Sequence, residues 1–108
     1  MLCILSLLDD CEEMYGYELV KAMSERSGGL FELPEGTIYP VLYRLEEQGF
    51  VQQRAVRVGK RMNRYYYSLT DEGRTFYAAL FREYESVQKG VQQVLYGKGG
   101  AADESNNT

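Results

Sequence analysis

The stretch VQQRAVRVGKRMNRYYYSLT, residues 51–70, carries five positive charges (Arg54, Arg57, Lys60, Arg61 and Arg64) and no acidic side chain. Its two ends, residues 50–57 and 64–70, are rich in β-branched and aromatic residues and lack a helical period, which predicts strands. Between them the chain can turn at Gly59 and again at Asn63, so the segment reads as a β-hairpin with Lys60 and Arg61 at its tip. The rest of the chain is acidic. Residues 1–50 hold ten acidic and three basic side chains, residues 71–108 hold six and four, and the 108-residue chain has a formal net charge of −4. An acidic chain is repelled by polyanions unless it presents its positive charge in one place. Here it does, and Arg64-Tyr65-Tyr66-Tyr67 sets aromatics directly after the cations. That pattern points to a surface for phosphate, nucleic acid foremost.

Upstream of the hairpin the periodicity is helical. Residues 1–8 read as the end of an apolar helix, followed by a polar break over residues 9–13. Residues 15–27 place Leu19, Val20 and Met23 at helical spacing, with Gly28 available for a left-handed end. After a connection over residues 28–34, a third helix starts near Pro34 or Gly36, runs to about Gln48 and is stopped by Gly49. Ile38, Val41, Leu42 and Leu45 fall on its inner face; Thr37, Tyr39, Tyr43, Arg44 and Glu47 point elsewhere. Pro40 has no amide proton to donate and is expected in the first turn or so of this helix.

Downstream, Thr70 is placed to cap a helix that begins at Asp71, where early acids suit the positive end of the dipole. Tyr77, Leu80, Tyr84, Val87, Val91 and Val94 step by three and four, the a/d seam of a helix that pairs with another helix. A run of about 26 residues at ~1.5 Å each reaches roughly 39 Å. Such a seam can pack onto the chain's own first helix or onto a second copy; its length favours the homodimer. Gly90 weakens the helix locally while letting a partner approach closely. Residues 97–108, glycine-rich and then acidic, read as a disordered tail. The expected organisation is therefore a DNA-binding domain over 1–70, a dimerisation helix over 71–96 and a tail over 97–108.

Several function classes fall away. The chain contains no histidine, the commonest general base and metal ligand. Cys3 and Cys11 alone do not make a zinc site, and they read as reduced thiols rather than a disulfide. No Gly-rich phosphate loop or nucleophile elbow occurs. Neither catalysis, a cofactor nor a metal is expected. No run approaches 18 apolar residues, and residues 1–8 lack the features of a signal peptide, so a cytoplasmic location is expected.

Three helices, a basic hairpin and a long last helix describe a mainly α fold with a small β-hairpin (α+β). This is a winged helix-turn-helix followed by a C-terminal dimerisation helix. In that architecture the third helix enters the major groove and the wing lies along the backbone or minor groove. Basic wing side chains neutralise phosphates without reading sequence, whereas groups on the helix reach base edges.

Three motifs carry a family resemblance. They are Met14-Tyr15-Gly16-Tyr17-Glu18-Leu19, Glu35-Gly36-Thr37-Ile38-Tyr39-Pro40-Val41-Leu42-Tyr43-Arg44-Leu45-Glu46, and Arg64-Tyr65-Tyr66-Tyr67-Ser68-Leu69-Thr70-Asp71-Glu72-Gly73. Together the chain resembles the PadR family of transcriptional regulators over residues 2–96, in the small subfamily with a single C-terminal helix. The resemblance implies a cytoplasmic homodimeric repressor of a roughly palindromic double-stranded operator, released by a small aromatic or hydrophobic effector. It implies that Tyr17 approaches the phosphate backbone and that Thr37, Tyr39 and Arg44 lie on the recognition helix, with Pro40 shaping its entry. Lys60, Arg61 and Arg64 match the basic wing. Aromatic content together with the resemblance places an effector near Phe76, Tyr77, Phe81 or Tyr84. Two departures stand out: Met62 and Asn63 occupy wing positions where more charge is common, and the first helix starts late.

Alternative placements remain at this level. Strand alternation sends neighbours to opposite faces, so Tyr65, Tyr66 and Tyr67 cannot all face DNA; Tyr66 is expected inward. Tyr15 and Tyr39 fit equally between helices, and Arg44 could pair with Glu47 or Gln48. No basic residue lies near Cys3 or Cys11 in sequence to activate a thiol. At the level of function, the competing reading is a winged-helix protein-interaction module that works through its acidic first half without binding DNA.

Overall fold

Apolar side chains at helical spacing build the first element, α1 (Leu2–Cys11), which buries Ile4, Leu5, Leu7 and Leu8. In the computed structural model, which describes residues 1–97, this helix continues through Asp9, Asp10 and Cys11, past the expected polar break. It ends at Glu12, whose φ of 62° and ψ of −66° let the Glu13 amide donate to the Cys11 carbonyl at 2.6 Å. That is a tight γ-turn, a conformation strained for any residue with a side chain. It redirects the chain into β1 (Met14–Tyr15) and then α2 (Gly16–Arg26). The Tyr15 amide donates to Glu18 Oε1 at 3.1 Å, satisfying a donor at the helix entrance. Gly28, with φ 65°, follows the end of α2 in the left-handed conformation expected of it.

α3 (Glu35–Glu47) follows Pro34 and stops before Gly49, whose φ is 81°. Its inner face buries Ile38, Leu42 and Leu45. Pro40 is the sixth residue of this helix, so it lies in the second turn and not at the entrance. A proline there cannot donate to the Gly36 carbonyl four residues earlier, and the helix forms without that bond.

β2 (Val51–Val58) and β3 (Met62–Leu69) form the antiparallel hairpin, closed by residues 59–61 with φ 76° at Gly59. Asn63, read from sequence as a second turn residue, instead pairs with Arg57 inside the ladder. The sheet has three strands, in the order β1-β3-β2, because Met14 and Tyr15 pair with Tyr67 and Tyr66. This register decides which tyrosine turns inward. Tyr67 shares the core face with Leu69 and is buried, Tyr66 lies on the opposite face, and Tyr65 is exposed. The expectation for Tyr66 is thereby corrected: burial of Leu69 fixes the parity, and 67, not 66, has the parity of 69.

α4 (Asp71–Tyr96) begins at a dense junction. Thr70 Oγ1 accepts the Gly73 amide at 3.0 Å and donates to the Gly49 carbonyl at 2.6 Å, while the Thr70 amide donates to the Phe50 carbonyl at 3.1 Å. Gly73 is buried against that same carbonyl, where a Cβ would overlap it. Phe50 and Phe76 stack face to face with centroids 4.2 Å apart. The fully buried core side chains are Leu5, Leu8, Leu19, Ile38, Leu42 and Leu45.

The chain divides into two compact units, Met1–Tyr77 and the residues from Ala78 onward. In the first, the Tyr77 hydroxyl and Ser6 Oγ are hydrogen-bonded at 3.1 Å, tying the early part of α4 to α1. In the second, Tyr84, Val87, Val91 and Val94 are exposed. Beyond Gly97, the tail expected from the sequence lies outside the described residues. No described helix is long and apolar enough to cross a membrane.

Candidate nucleic-acid interface

The wing tip presents Lys60 and Arg61, both exposed and without an ion pair or side-chain hydrogen bond among the described residues. Arg57 supports the turn beneath them by donating to the Lys60 carbonyl at 2.6 Å. On α3 the polar face is open: Thr37, Tyr39, Pro40 and Arg44 are exposed opposite the buried Ile38, Leu42 and Leu45. Arg44 forms no ion pair with Glu47 or any other described residue.

Tyr39 takes the inter-helix position that the sequence left open. Its ring rests against Gly16, and its hydroxyl donates to Glu35 Oε2 at 2.8 Å. Burial, then the Glu35 carboxylate, pushes its phenol up to about 12. Tyr17, in the first turn of α2, is 54% exposed and its ring stacks at 6.4 Å on that of Tyr15.

Two neighbours of these residues did not stand out in the sequence. Lys21 is exposed one turn after Tyr17 and lines the same shallow cleft on α2; the four-residue spacing was the available signal. Tyr43, 64% exposed, lies on the outer face of α3 between Pro40 and Arg44.

A cleft of about 230 Å³ separates α3 from the wing, with Glu35 and Tyr39 on one side and Asn63, Arg64 and Tyr65 on the other. On the outer face of the sheet the remaining arginines are engaged. The Arg64 guanidinium lies 4.1 Å over the Tyr15 ring, Tyr15 meets Tyr66 edge to face at 5.4 Å, and Arg54 lies 5.6 Å over Tyr66. Arg54 also grips Glu13 with two nitrogens, at 2.6 and 3.1 Å. That hydrogen bonding holds the Glu13 carboxyl below its ordinary value.

Along α4, Tyr77 and Leu80 are half-buried, whereas Tyr84, Val87, Val91 and Val94 are exposed. An apolar hollow of about 400 Å³ opens at Gly90 between Val87, Val91, Val94 and Leu95. Of the aromatics assigned to an effector, Phe76 stacks on Phe50, Tyr77 bonds Ser6, and Phe81 and Tyr84 are exposed. Cys3 and Cys11 are both free thiols. A basic neighbour does reach Cys11: Arg26, from the last turn of α2, lies 3.6 Å from its sulfur while pairing with Asp10 at 2.7 Å. No group of three or more potential metal ligands occurs among the described residues.

Comparison with known proteins gives consistent matches. The transcriptional regulator PadR-like family model matches residues 4–79. A transcriptional regulator from Clostridium thermocellum is 32% identical, with a TM-score of 0.75 over 85% of each chain. A PadR family transcription regulator from Clostridium difficile R20291 is 33% identical, with a TM-score of 0.74 over 87% of this chain and 95% of that one. Bacillus subtilis PadR, a negative transcriptional regulator, is 31% identical over 62 residues, 57% of this chain and 34% of that protein. Its structure in complex with operator DNA is 29% identical, with a TM-score of 0.67 over 74% of this chain and 45% of that one.

Proposed function

Because the chain belongs to the transcriptional regulator PadR-like family, we propose that it is a homodimeric, sequence-specific repressor of a palindromic double-stranded operator. The observation that carries this reading is the pairing of two exposed, uncommitted cations at the wing tip with an open polar face on α3, in a chain that is otherwise acidic. The Bacillus complex with operator DNA supports it, as does the negative regulatory role of that protein.

Residues 1–70 form the DNA-binding part in this reading. Tyr17, Lys60 and Arg61 approach phosphates, and Thr37 and Arg44 meet base edges from α3, with Pro40 shaping the entry of that helix. Tyr39 and Arg64 stand behind them. Residues 71–96 pair with a second copy along Tyr77, Leu80, Tyr84, Val87, Val91 and Val94. The pair of α3 helices must then lie about 34–36 Å apart, or a multiple of it, to reach successive major grooves. A small aromatic or hydrophobic effector near Phe76, Tyr77, Phe81 or Tyr84 changes that spacing and couples its own binding to release. No cofactor is required.

Selection of bound duplexes from a random pool tests the reading. The expected product is a palindrome, bound with an affinity that falls steeply as salt rises. Absent or salt-independent binding by protein shown to be folded and dimeric would favour the protein-interaction module instead. Titration of candidate aromatics against the selected duplex tests the effector, whose expected signature is a fall in operator affinity.

A further inference from the structure

The structure does not treat the five wing cations alike. Among the described residues Lys60 and Arg61 are uncommitted, whereas Arg57 holds the turn, Arg54 is gripped by Glu13, and Arg64 lies 4.1 Å over the Tyr15 ring. We propose that Arg64 is a positioning residue that acts through Tyr15 to set the wing against the recognition helix, and that Lys60 and Arg61, rather than Arg64, neutralise phosphate.

The joint lies between residues 15 and 16. Tyr15 belongs to β1, and its amide is fixed by Glu18. Its ring meets the Arg64 guanidinium and, edge to face, the Tyr66 ring, so both contacts come from β3, the return strand of the wing. The next residue, Gly16, receives the ring of Tyr39 from α3. Two consecutive residues therefore hold the two DNA-facing elements, the wing by one and the recognition helix by the other. A guanidinium stacked on an aromatic face presents its plane to the ring, which suits arginine and defines an orientation.

Electrostatics set the second constraint. Arg54 meets Glu13 through two nitrogens, so the charge it brings to this face is balanced by a carboxylate. The strained turn at Glu12 delivers Glu13 to that position. Arg54 is thus balanced by a carboxylate and Arg64 is held over a ring, whereas the cations at the tip, Lys60 and Arg61, are exposed.

This inference rests on the DNA-binding reading, so its test uses two measurements on the intact protein. The first is the slope of log affinity against log salt on the selected duplex. Lys60→Ala with Arg61→Ala should flatten the slope by about 1.8 per protomer, at about 0.9 for each phosphate no longer neutralised. Arg64→Met and Tyr15→Leu should each lower affinity about tenfold with the slope unchanged, while Tyr15→Phe, which keeps the ring, matches wild type. A slope smaller by about 0.9 per protomer for Arg64→Met would overturn the proposal, because Arg64 would then contact phosphate itself. Unchanged affinity in Tyr15→Leu would overturn it too.

The second measurement is amide hydrogen exchange across residues 56–63 in the free protein. Exchange should accelerate in Tyr15→Leu and Arg64→Met but not in Tyr15→Phe or the Lys60/Arg61 double variant. If wild type binds no duplex, the DNA reading fails, and exchange still decides the joint: equal rates in Tyr15→Leu and Tyr15→Phe would refute it. Should Arg64→Met fail to fold, the two Tyr15 variants answer the question alone.

Discussion

The ring of Tyr39 in α3 rests on Gly16 at the first position of α2, so closely that a Cβ at residue 16 would overlap the phenol oxygen. The glycine thus makes room for a side chain of α3 and is not needed by its own backbone, since its φ is not left-handed. The Tyr39 hydroxyl donates to the Glu35 carboxylate from within the same helix.

Gly16→Ala should therefore push the tip of the Tyr39 ring, which is 41% exposed, out of its place at a cost of about 0.5–1.5 kcal/mol, that of an off-rotamer side chain. Urea denaturation measures it. The variant that removes the obstruction, Gly16→Ala with Tyr39→Ala, should recover part of the stability, since the two substitutions share one contact.

Gly73→Ala should cost more than Gly90→Ala. At residue 73 a Cβ overlaps the Phe50 carbonyl, which cannot swing aside as a side chain would. At residue 90 nothing in the chain lies within 4 Å of the added atom. Alanine there should raise the stability of the helix by about 0.5–1 kcal/mol, from relief of glycine's backbone entropy. Paired denaturation curves of the two variants give the comparison.

The Glu13–Arg54 pair predicts a pH dependence. The Glu13 carboxyl is held below its ordinary value of 4.5 in the folded chain, so the folded state binds fewer protons than the unfolded one in that range. Its stabilising effect should be complete above 4.5 and vanish as pH falls through the lower, folded value. The stability difference between wild type and Glu13→Gln, followed across the acid range, should shrink in that window. A difference that grows on acidification would contradict the pairing.

Val91→Asp should leave the protomer folded, because Val91 is half exposed within its own chain. It should nevertheless weaken self-association by about 3–5 kcal/mol, as an unpaired carboxylate in a closed apolar seam does. Sedimentation equilibrium reads the association and circular dichroism the fold. Unchanged association would remove α4 as the seam.

Tyr43→Ala should relax sequence preference at one position of each half-site by about 1–3 kcal/mol while leaving the salt slope alone. Repeating the selection with the variant shows which base is involved. A uniform drop across all sequences would instead make Tyr43 a backbone contact.

Much of the architecture was legible because its punctuation is chemical. Gly28, Gly49 and Gly59 all have the positive φ that their turns require, and Thr70 caps α4 through its own hydroxyl. Periodicity sufficed for the inner face of α3. What escaped the sequence were relationships between distant segments. β1 has two residues, too few to show alternation, and exists because the free edge of β3 accepts it. Tyr67 rather than Tyr66 turns inward by a parity that only the ladder defines. Arg26 reaches Cys11 from fifteen residues away, and Glu13 reaches Arg54 across forty-one. Pro40 lies in the second turn of a helix that starts where the sequence placed it, so the helix tolerates proline further in than its missing amide suggests.

The junction around Thr70 ties strand register to the helix start. Its hydroxyl bridges Gly49, before the hairpin, and Gly73, after it; the bond to Gly73 is local, whereas the bond to Gly49 needs the two strands in register. A slip of one residue would turn Tyr67 and Leu69 to the wrong face and carry Thr70 away from Gly49 at the same time. A misregistered hairpin is thus penalised twice, in the core and in the bond that ties the start of α4 to the end of α3.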